Sequence, residues 1–166
     1  HDSILCPLCD ATPHRYLFEK KGRHFYECLT CKLEQQVPLP TLKELSDYYD
    51  AQFDSGMYQT FTSAEQMKTL TAKQRLKEIT PSISPTGRWL DVGCANGVFV
   101  REATALGAKA EGVELSAVAV NQAVEAGLPV QCGALEDVPN EPAYDCITAF
   151  DVLEHVLDPL TFLKNI

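Results

Sequence analysis

The chain of 166 residues contains no apolar run approaching the ~20 residues needed to cross a bilayer, no secretory signal pattern and no internal repeat. A membrane-spanning helix and a solenoid are thereby excluded, and a soluble, cytoplasmic protein is expected. Basic side chains are scarce where a polyanion would need them. Residues 81–166 hold four Lys and Arg against twelve Asp and Glu, whereas residues 1–40 hold five of each and residues 41–80 five against six. With a net charge of −9, such a surface repels a phosphate backbone, so duplex nucleic acid is not an expected partner. At 45% hydrophobic residues the chain can still bury a proper core.

Cysteine, by contrast, is plentiful. Of the seven, four lie in two C-x-x-C knuckles, Cys6-Pro7-Leu8-Cys9 and Cys28-Leu29-Thr30-Cys31, with 18 residues between them. That is the spacing of a four-cysteine zinc ribbon, in which Cys6, Cys9, Cys28 and Cys31 would hold a structural Zn2+ and leave no coordination position open for chemistry. Between the knuckles, Tyr16-Leu17-Phe18 and His24-Phe25-Tyr26-Glu27 flank Lys20-Lys21-Gly22-Arg23, which reads as a hairpin carrying the second knuckle back to the first. Asp10 and Lys32 stand where such knuckles usually end in glycine. Residues 1–40 are too poor in apolar side chains to fold by burial alone, so zinc is expected to decide whether they fold. Two disulfides or a redox pair are the competing explanation. An oxidised extracellular chain would leave one cysteine of seven unpaired, and Cys94, Cys132 and Cys146 sit in apolar strand or motif contexts.

Pro38-Leu39-Pro40 marks a linker, and Thr41-Leu42-Lys43-Glu44 is a capping box that opens a helix through Tyr48 and Tyr49. A second helix is expected from Ser63 to Ile79, with Met67, Leu70, Leu76 and Ile79 as its inner stripe and Pro81 as its stop. Residues 41–80 therefore read as a helical linker.

Residues 81–166 read as an α/β unit. Trp89-Leu90-Asp91-Val92 suits a strand buried on both faces, Gly93-Cys94-Ala95-Asn96-Gly97 a tight turn, and the following residues a helix with free amides at its start. Seventeen residues past Gly97, Glu114 closes a second strand, where an ionised carboxylate can accept from both hydroxyls of a ribose. A dinucleotide fingerprint G-x-G-x-x-G fails here, because Ala95 and Val98 occupy its second and third glycine positions. The run instead resembles the first motif of the class I S-adenosylmethionine-dependent methyltransferases, D/E-x-G-x-G-x-G, through Asp91, Gly93 and Gly97, with Ala95 replacing the middle glycine.

That resemblance implies a Rossmann-like methyltransferase sheet of order 3-2-1-4-5-7-6. Strands 1 to 4 fall within residues 81–166, and strands 5, 7 and 6 are expected in sequence beyond Ile166. It also implies a cofactor site: Asp91, Gly93, Ala95 and Gly97 for the methionine portion, Glu114 and Leu115 for the ribose, and Ala134 and Leu135 for the adenine. Family members often carry an acidic residue where Ala134 stands, so Glu136 or Asp137 would either supply that contact or belong to a solvated loop.

The run Asp151-Val152-Leu153-Glu154-His155-Val156-Leu157-Asp158-Pro159 resembles the D-V-L-E-H-V-x-D-P stretch of a methyltransferase subfamily that includes quinone and sugar enzymes. A helical turn would bring Asp151, Glu154 and His155 to one face beside the cofactor crevice. Three readings stay open: His155 as general base on an acceptor, the three residues as part of a hard-cation site, or Glu154 and His155 holding the turn while Asp151 faces the sulfonium. The resemblance implies a methyltransferase acting on a small-molecule or sugar/glycan acceptor, or a quinone-type O-methyltransferase. The run Leu45 to Tyr58 also resembles the segment that follows the zinc ribbon in many methyltransferases of this type and lies over cofactor and acceptor, which implies that residues 41–80 form a helical linker or lid; Tyr48, Tyr49 and Tyr58 either close over the site or pack against the core. A zinc-ribbon adaptor with a non-catalytic cofactor-binding domain is the alternative of a different class, and an NAD-linked oxidoreductase a remote third. Neither the acceptor nor the oligomeric state is legible.

Overall fold

The computed structural model describes residues 4–54, 62–139 and 143–166, together with the side chains of most of them; Tyr58, named above as a lid candidate, lies outside the described residues, as does the side chain of Tyr49. The chain gathers into two compact units, His1–Thr41 with Glu154–Ile166, and Leu42–Leu153.

In the first unit, β1 (His14–Lys20), β2 (Arg23–Cys28) and β3 (Glu34–Val37) form an antiparallel sheet in that order. Lys21 and Gly22, with φ of 53° and 74°, make the two-residue turn whose twist matches a hairpin. A register shift between Tyr16 and Phe18 still leaves both on aromatic partners, Tyr16 against Tyr26 at 5.5 Å and Phe18 stacked on Phe25 at 4.8 Å between ring centroids. Strand β3 has no apolar alternation to announce it. Its buried Gln35 is satisfied by a hydrogen bond between Nε2 and His14 Nε2 at 2.9 Å, which docks a polar strand onto the sheet. Near the other end of the chain, Asp158 caps α5 (Pro159–Asn165), accepting from the Thr161 amide at 3.0 Å.

The second unit holds β4 (Arg88–Val92), β5 (Lys109–Glu114), β6 (Val130–Cys132) and β7 (Cys146–Thr148), all parallel and ordered β6-β5-β4-β7. This is the 3-2-1-4 order expected of a methyltransferase sheet. Trp89 and Leu90 point to opposite faces, yet each is only 2% exposed, as a central parallel strand requires. Helices α3 (Val98–Ala105) and α4 (Ala117–Glu125) make the crossovers, and Val98, Phe99, Val100, Ala103, Val120 and Ala123 join Trp89 and Cys146 in one core.

Two helices precede the sheet, α1 (Leu42–Asp54) and α2 (Thr62–Ile79). The inner stripe of α2 differs from the expected one. Leu76 is buried and Ile79 packs on the core, but Met67 and Leu70 are 60% and 61% exposed. The inward face runs through Glu65, Thr69, Ala72 and Leu76, and its first half is polar because Arg101 of α3 meets it: the guanidinium donates to Glu65 Oε1 at 2.8 Å and to Thr69 Oγ1 at 2.9 Å. Counting apolar residues could not reveal a face whose partner is an arginine. On α1, Tyr48 is half exposed.

Strand β5 must let α3 come close. A Cβ on Gly112 would lie 2.5 Å from Cys94 Sγ and 3.2 Å from Val100 Cγ2, neither of which has room to yield in a packed interior. Gly112→Ala is therefore expected to cost about 1–3 kcal/mol through overpacking. A urea midpoint equal to that of the parent would show that the loop can relax.

Candidate functional site

The carboxyl ends of β4 and β5 lie side by side, Val92 opposite Val113, and the turn that leaves β4 is fastened to β5. Gly93 N–H donates to the Val113 carbonyl at 2.8 Å, and Cys94 N–H reaches it at 3.3 Å. The chain then passes through three left-handed residues, Gly93, Ala95 and Gly97, with φ of 68°, 49° and 78°. Gly93 is needed for space as well, since a Cβ there would lie 2.5 Å from Val152 Cγ2. Ala95 accepts the same conformation with a side chain, at a cost of about 1–2 kcal/mol. Its amide is turned toward the end of β5 as a result.

That amide finds Glu114. Ala95 N–H donates to Glu114 Oε2 at 2.9 Å, and Ser116 N–H donates to Oε1 at 2.9 Å. The carboxylate is thus held by one amide on each oxygen, and each oxygen keeps a further acceptor position. In the same turn as Ala95, Asn96 Oδ1 is buried with no hydrogen-bond partner among the described residues. A buried amide oxygen left unpaired is costly, and a donor group entering the loop would relieve it. At the start of α3, no side chain of the described residues caps the helix, so its first amides also face the loop. The segment from Gly93 to Gly97 contains no basic side chain. These features fit an uncharged diol and an amino-acid tail, and they fit a diphosphate poorly.

Asp91 stands just inside the loop, 6% exposed. Burial pushes its carboxyl up to about 7, an effect opposed by the Thr148 hydroxyl and by the positive charge of Arg75 and reinforced by the negative charge of Glu114. Thr148 Oγ1 lies 2.7 Å from Asp91 Oδ1 and 3.4 Å from the Leu90 carbonyl. The hydroxyl can donate to an ionised Asp91, or accept from a protonated one and donate to Leu90. Neither Thr148 nor Asn96 was singled out from the sequence; a polar residue inside the glycine turn was the available signal for Asn96.

After β6, Gly133 N–H donates to the Glu114 carbonyl at 2.9 Å, and Leu135 is buried at the start of a short 3-10 turn, Leu135–Asp137. Asp137 closes that turn by accepting from the Ala134 amide at 2.8 Å, so its carboxylate is already engaged. Ala134 and Leu135 consequently present backbone and apolar surface beside β5.

The expected helical alignment of Asp151, Glu154 and His155 is not found. The 3-10 turn spans Leu153–His155 and starts after Asp151, which sits in the left-handed region with φ of 57°. Arg75 of α2 donates to Asp151 Oδ2 at 2.7 Å. The same guanidinium lies 4.1 Å from the centroid of Phe150, whose ring meets Phe99 edge-on at 5.1 Å. Arg75 was not legible as a partner, because only tertiary packing brings residue 75 to residue 151.

In the ribbon unit the sulfur atoms of Cys6, Cys9, Cys28 and Cys31 all lie within 4.8 Å of one another, with Cys6 to Cys31 at 3.5 Å and Cys9 to Cys28 at 3.6 Å. Each knuckle folds the same way: Asp10 N–H returns to the Cys6 carbonyl and Lys32 N–H to the Cys28 carbonyl, both at 2.9 Å. Asp10 and Lys32, the residues standing in for glycine, adopt φ of 56° and 67°. Without a metal the thiols share their protons unevenly: the backbone amide of Cys31 pulls the Cys28 thiol down to about 6, while Cys9 and Cys31 are raised by burial and by their neighbouring thiols.

The Asp91 shift has a measurable sign. A carboxyl raised from 3.8 to about 7 binds a proton more tightly folded than unfolded, so its contribution is fully present below the unfolded value and lost as pH rises through 7. Between pH 4 and 7 this one group is expected to lower stability by up to about 1.4 kcal/mol per pH unit. Urea denaturation of the parent and Asp91→Asn at pH 5.5, 6.5 and 7.5 should show the difference between them shifting against the parent as pH rises. A constant difference would place the Asp91 proton elsewhere.

Comparison with known proteins bears on the family and the fold. A ubiquinone biosynthesis O-methyltransferase of Chromobacterium violaceum is 37% identical over 83 residues, covering 45% of this chain and 36% of the relative. The chain spans 34–42% of the length of the curated relatives it matches. Among solved structures, magnesium protoporphyrin IX methyltransferase from Synechocystis PCC 6803, with S-adenosylmethionine bound, superposes with a TM-score of 0.57 at 17% identity over 74% of this chain and 67% of that one. A methyltransferase from Thermotoga maritima, a possible histamine N-methyltransferase, gives 0.53 at 24% identity over 71% and 54%. These superpositions speak for the fold. Residues 63–166 match the family described as methyltransferase domain, and the chain belongs to that family.

Proposed function

We propose that this chain holds the donor site of an S-adenosylmethionine-dependent methyltransferase whose acceptor is a small molecule or a sugar/glycan unit. The observation that carries this reading is the Glu114 carboxylate, oriented by the Ala95 and Ser116 amides, together with an unpaired Asn96 oxygen in a loop without a cation. Glu114 accepts the ribose hydroxyls through its remaining lone pairs, with Leu115 beside it. Asp91, Gly93, Ala95, Asn96 and Gly97 surround the methionine tail, where Asn96 Oδ1 accepts from its ammonium. Ala134 and Leu135 bound the adenine through backbone groups and apolar contact. When bound, the cofactor supplies a methyl group on a sulfonium, already activated for transfer.

The protein's remaining task is to position an acceptor and take its proton. His155 is the residue proposed for that proton, Glu154 its neighbour in the turn, and Asp151, anchored by Arg75, faces the methyl group. A quinone-type acceptor oxygen is the second reading, favoured by the ubiquinone biosynthesis O-methyltransferases among the relatives. In the ribbon, Cys6, Cys9, Cys28 and Cys31 hold a structural Zn2+. The spacing of the knuckles and the closeness of their sulfurs support this.

Titration calorimetry of the full chain should detect S-adenosylhomocysteine and no NAD, with Glu114→Ala weakening the former at least about tenfold through loss of a charged acceptor. Transfer of a labelled methyl group to a panel of sugars, glycans and phenols then identifies the acceptor. Binding of NAD in preference, or affinity indifferent to Glu114, would falsify the reading. For the ribbon, metal analysis should return one zinc per chain. A chelator should unfold residues 4–37, because an apparent affinity of about 10–16 kcal/mol is what folds such modules; freshly prepared protein with oxidised Cys6 and Cys28 and no zinc would argue for disulfides instead.

A further inference from the structure

Helix α1 is fastened to the first turn of α4 by a carboxylate. Asp50 Oδ1 accepts from Ser116 Oγ at 2.6 Å and from Val118 N–H at 3.4 Å, and Ser46 Oγ donates to the Leu115 carbonyl at 3.4 Å. Ser116 is fully buried and caps α4, its oxygen accepting from Ala119 N–H at 3.3 Å. With its lone pair committed to the cap, its proton goes to Asp50. The amide of that same serine holds Glu114 Oε1.

A continuous series of hydrogen bonds therefore runs from Asp50 through Ser116 and Glu114 to Ala95. We infer that Asp50 is a positioning residue of the donor site, which fixes the Glu114 carboxylate through Ser116 without touching the ligand. This rests on the methyl-donor reading above. A glutamate side chain has several freely rotating bonds, and the ligand must meet one arrangement of it. Asp50 sets the Ser116 backbone, the Ser116 amide sets Oε1, and the diol then encounters a carboxylate already in place, so less ordering is left for binding to accomplish. Asp50 also sets a negative charge at the start of α4, where the helix dipole favours it. The link depends on tertiary structure, since α1 must be docked for Asp50 to reach residue 116.

The experiment is calorimetric binding of S-adenosylhomocysteine to the full chain, its D50A and D50N variants, E114Q, and the double variant D50A/E114Q, at a temperature where urea titration shows each to be folded. D50A should weaken binding about 5- to 20-fold, and D50N, which keeps an acceptor oxygen, about two- to fourfold. In the E114Q background D50A should cost less than about twofold more, because the two residues act in one series. A purely structural Asp50 would lower the urea midpoint and leave the affinity unchanged, and that result overturns the inference. So does a D50A loss repeated in full on E114Q, which would show that Asp50 acts independently of Glu114. Where D50A fails to fold, D50N decides alone, an unchanged affinity counting against the inference. Failure of the parent chain to bind S-adenosylhomocysteine at all would sink the donor reading and this inference together; parent binding with D50A unaffected would sink only the inference.

Discussion

Two backbone amides pointing at one carboxylate organise the second unit. Ala95 N–H and Ser116 N–H come from different turns, one leaving β4 and one leaving β5, and Glu114 joins them. Each amide would otherwise be an unsatisfied donor at the mouth of the sheet, and Glu114 would be a mobile charge there. The left-handed Ala95 has its explanation here: the strained backbone is what turns that N–H toward β5. Everything proposed for the donor site depends on this pairing surviving with acceptor capacity to spare.

The electrostatics of the pocket follow from the same geometry. Glu114 and the buried Asp91 place two carboxyl groups near one loop, and burial resolves the conflict by letting Asp91 hold its proton near neutrality. Thr148 can serve either form of Asp91. A cationic ligand entering beside these groups would find acceptors already aimed inward, whereas a polyphosphate would meet the Glu114 charge with no cation in the loop to offset it.

Much of the sheet was legible because its signals are local. Trp89 to Val92 is an apolar strand, Gly93 and Gly97 bracket a turn, and Glu114 closes the next strand; such features depend on neighbours in sequence. The two knuckles were legible for the same reason, down to the positions of Asp10 and Lys32. The reading failed where a polar partner stands in for hydrophobic contact. Strand β3 is held by Gln35 on His14, and the inward face of α2 by Arg101, so neither shows the apolar periodicity by which elements are recognised. Asp151 was assigned to a helical turn from its spacing to Glu154 and His155. Its left-handed backbone and its pairing with Arg75 arise from packing between α2 and the end of β7, which spacing does not encode.

Helix α2 is attached by two chemically different halves. Its later half places Ala72, Leu76 and Ile79 in the apolar core and adds ion pairs from Lys73 to Glu102 and from Arg75 to Asp151, while its earlier half is held by Arg101 on Glu65 and Thr69 at a partly exposed surface. Added electrolyte screens the ion pairs and leaves the apolar contacts untouched. The N-terminal turns of α2 are thus free to fray as ionic strength rises while Leu76 stays in the core, a salt dependence that the sheet beneath the helix does not share.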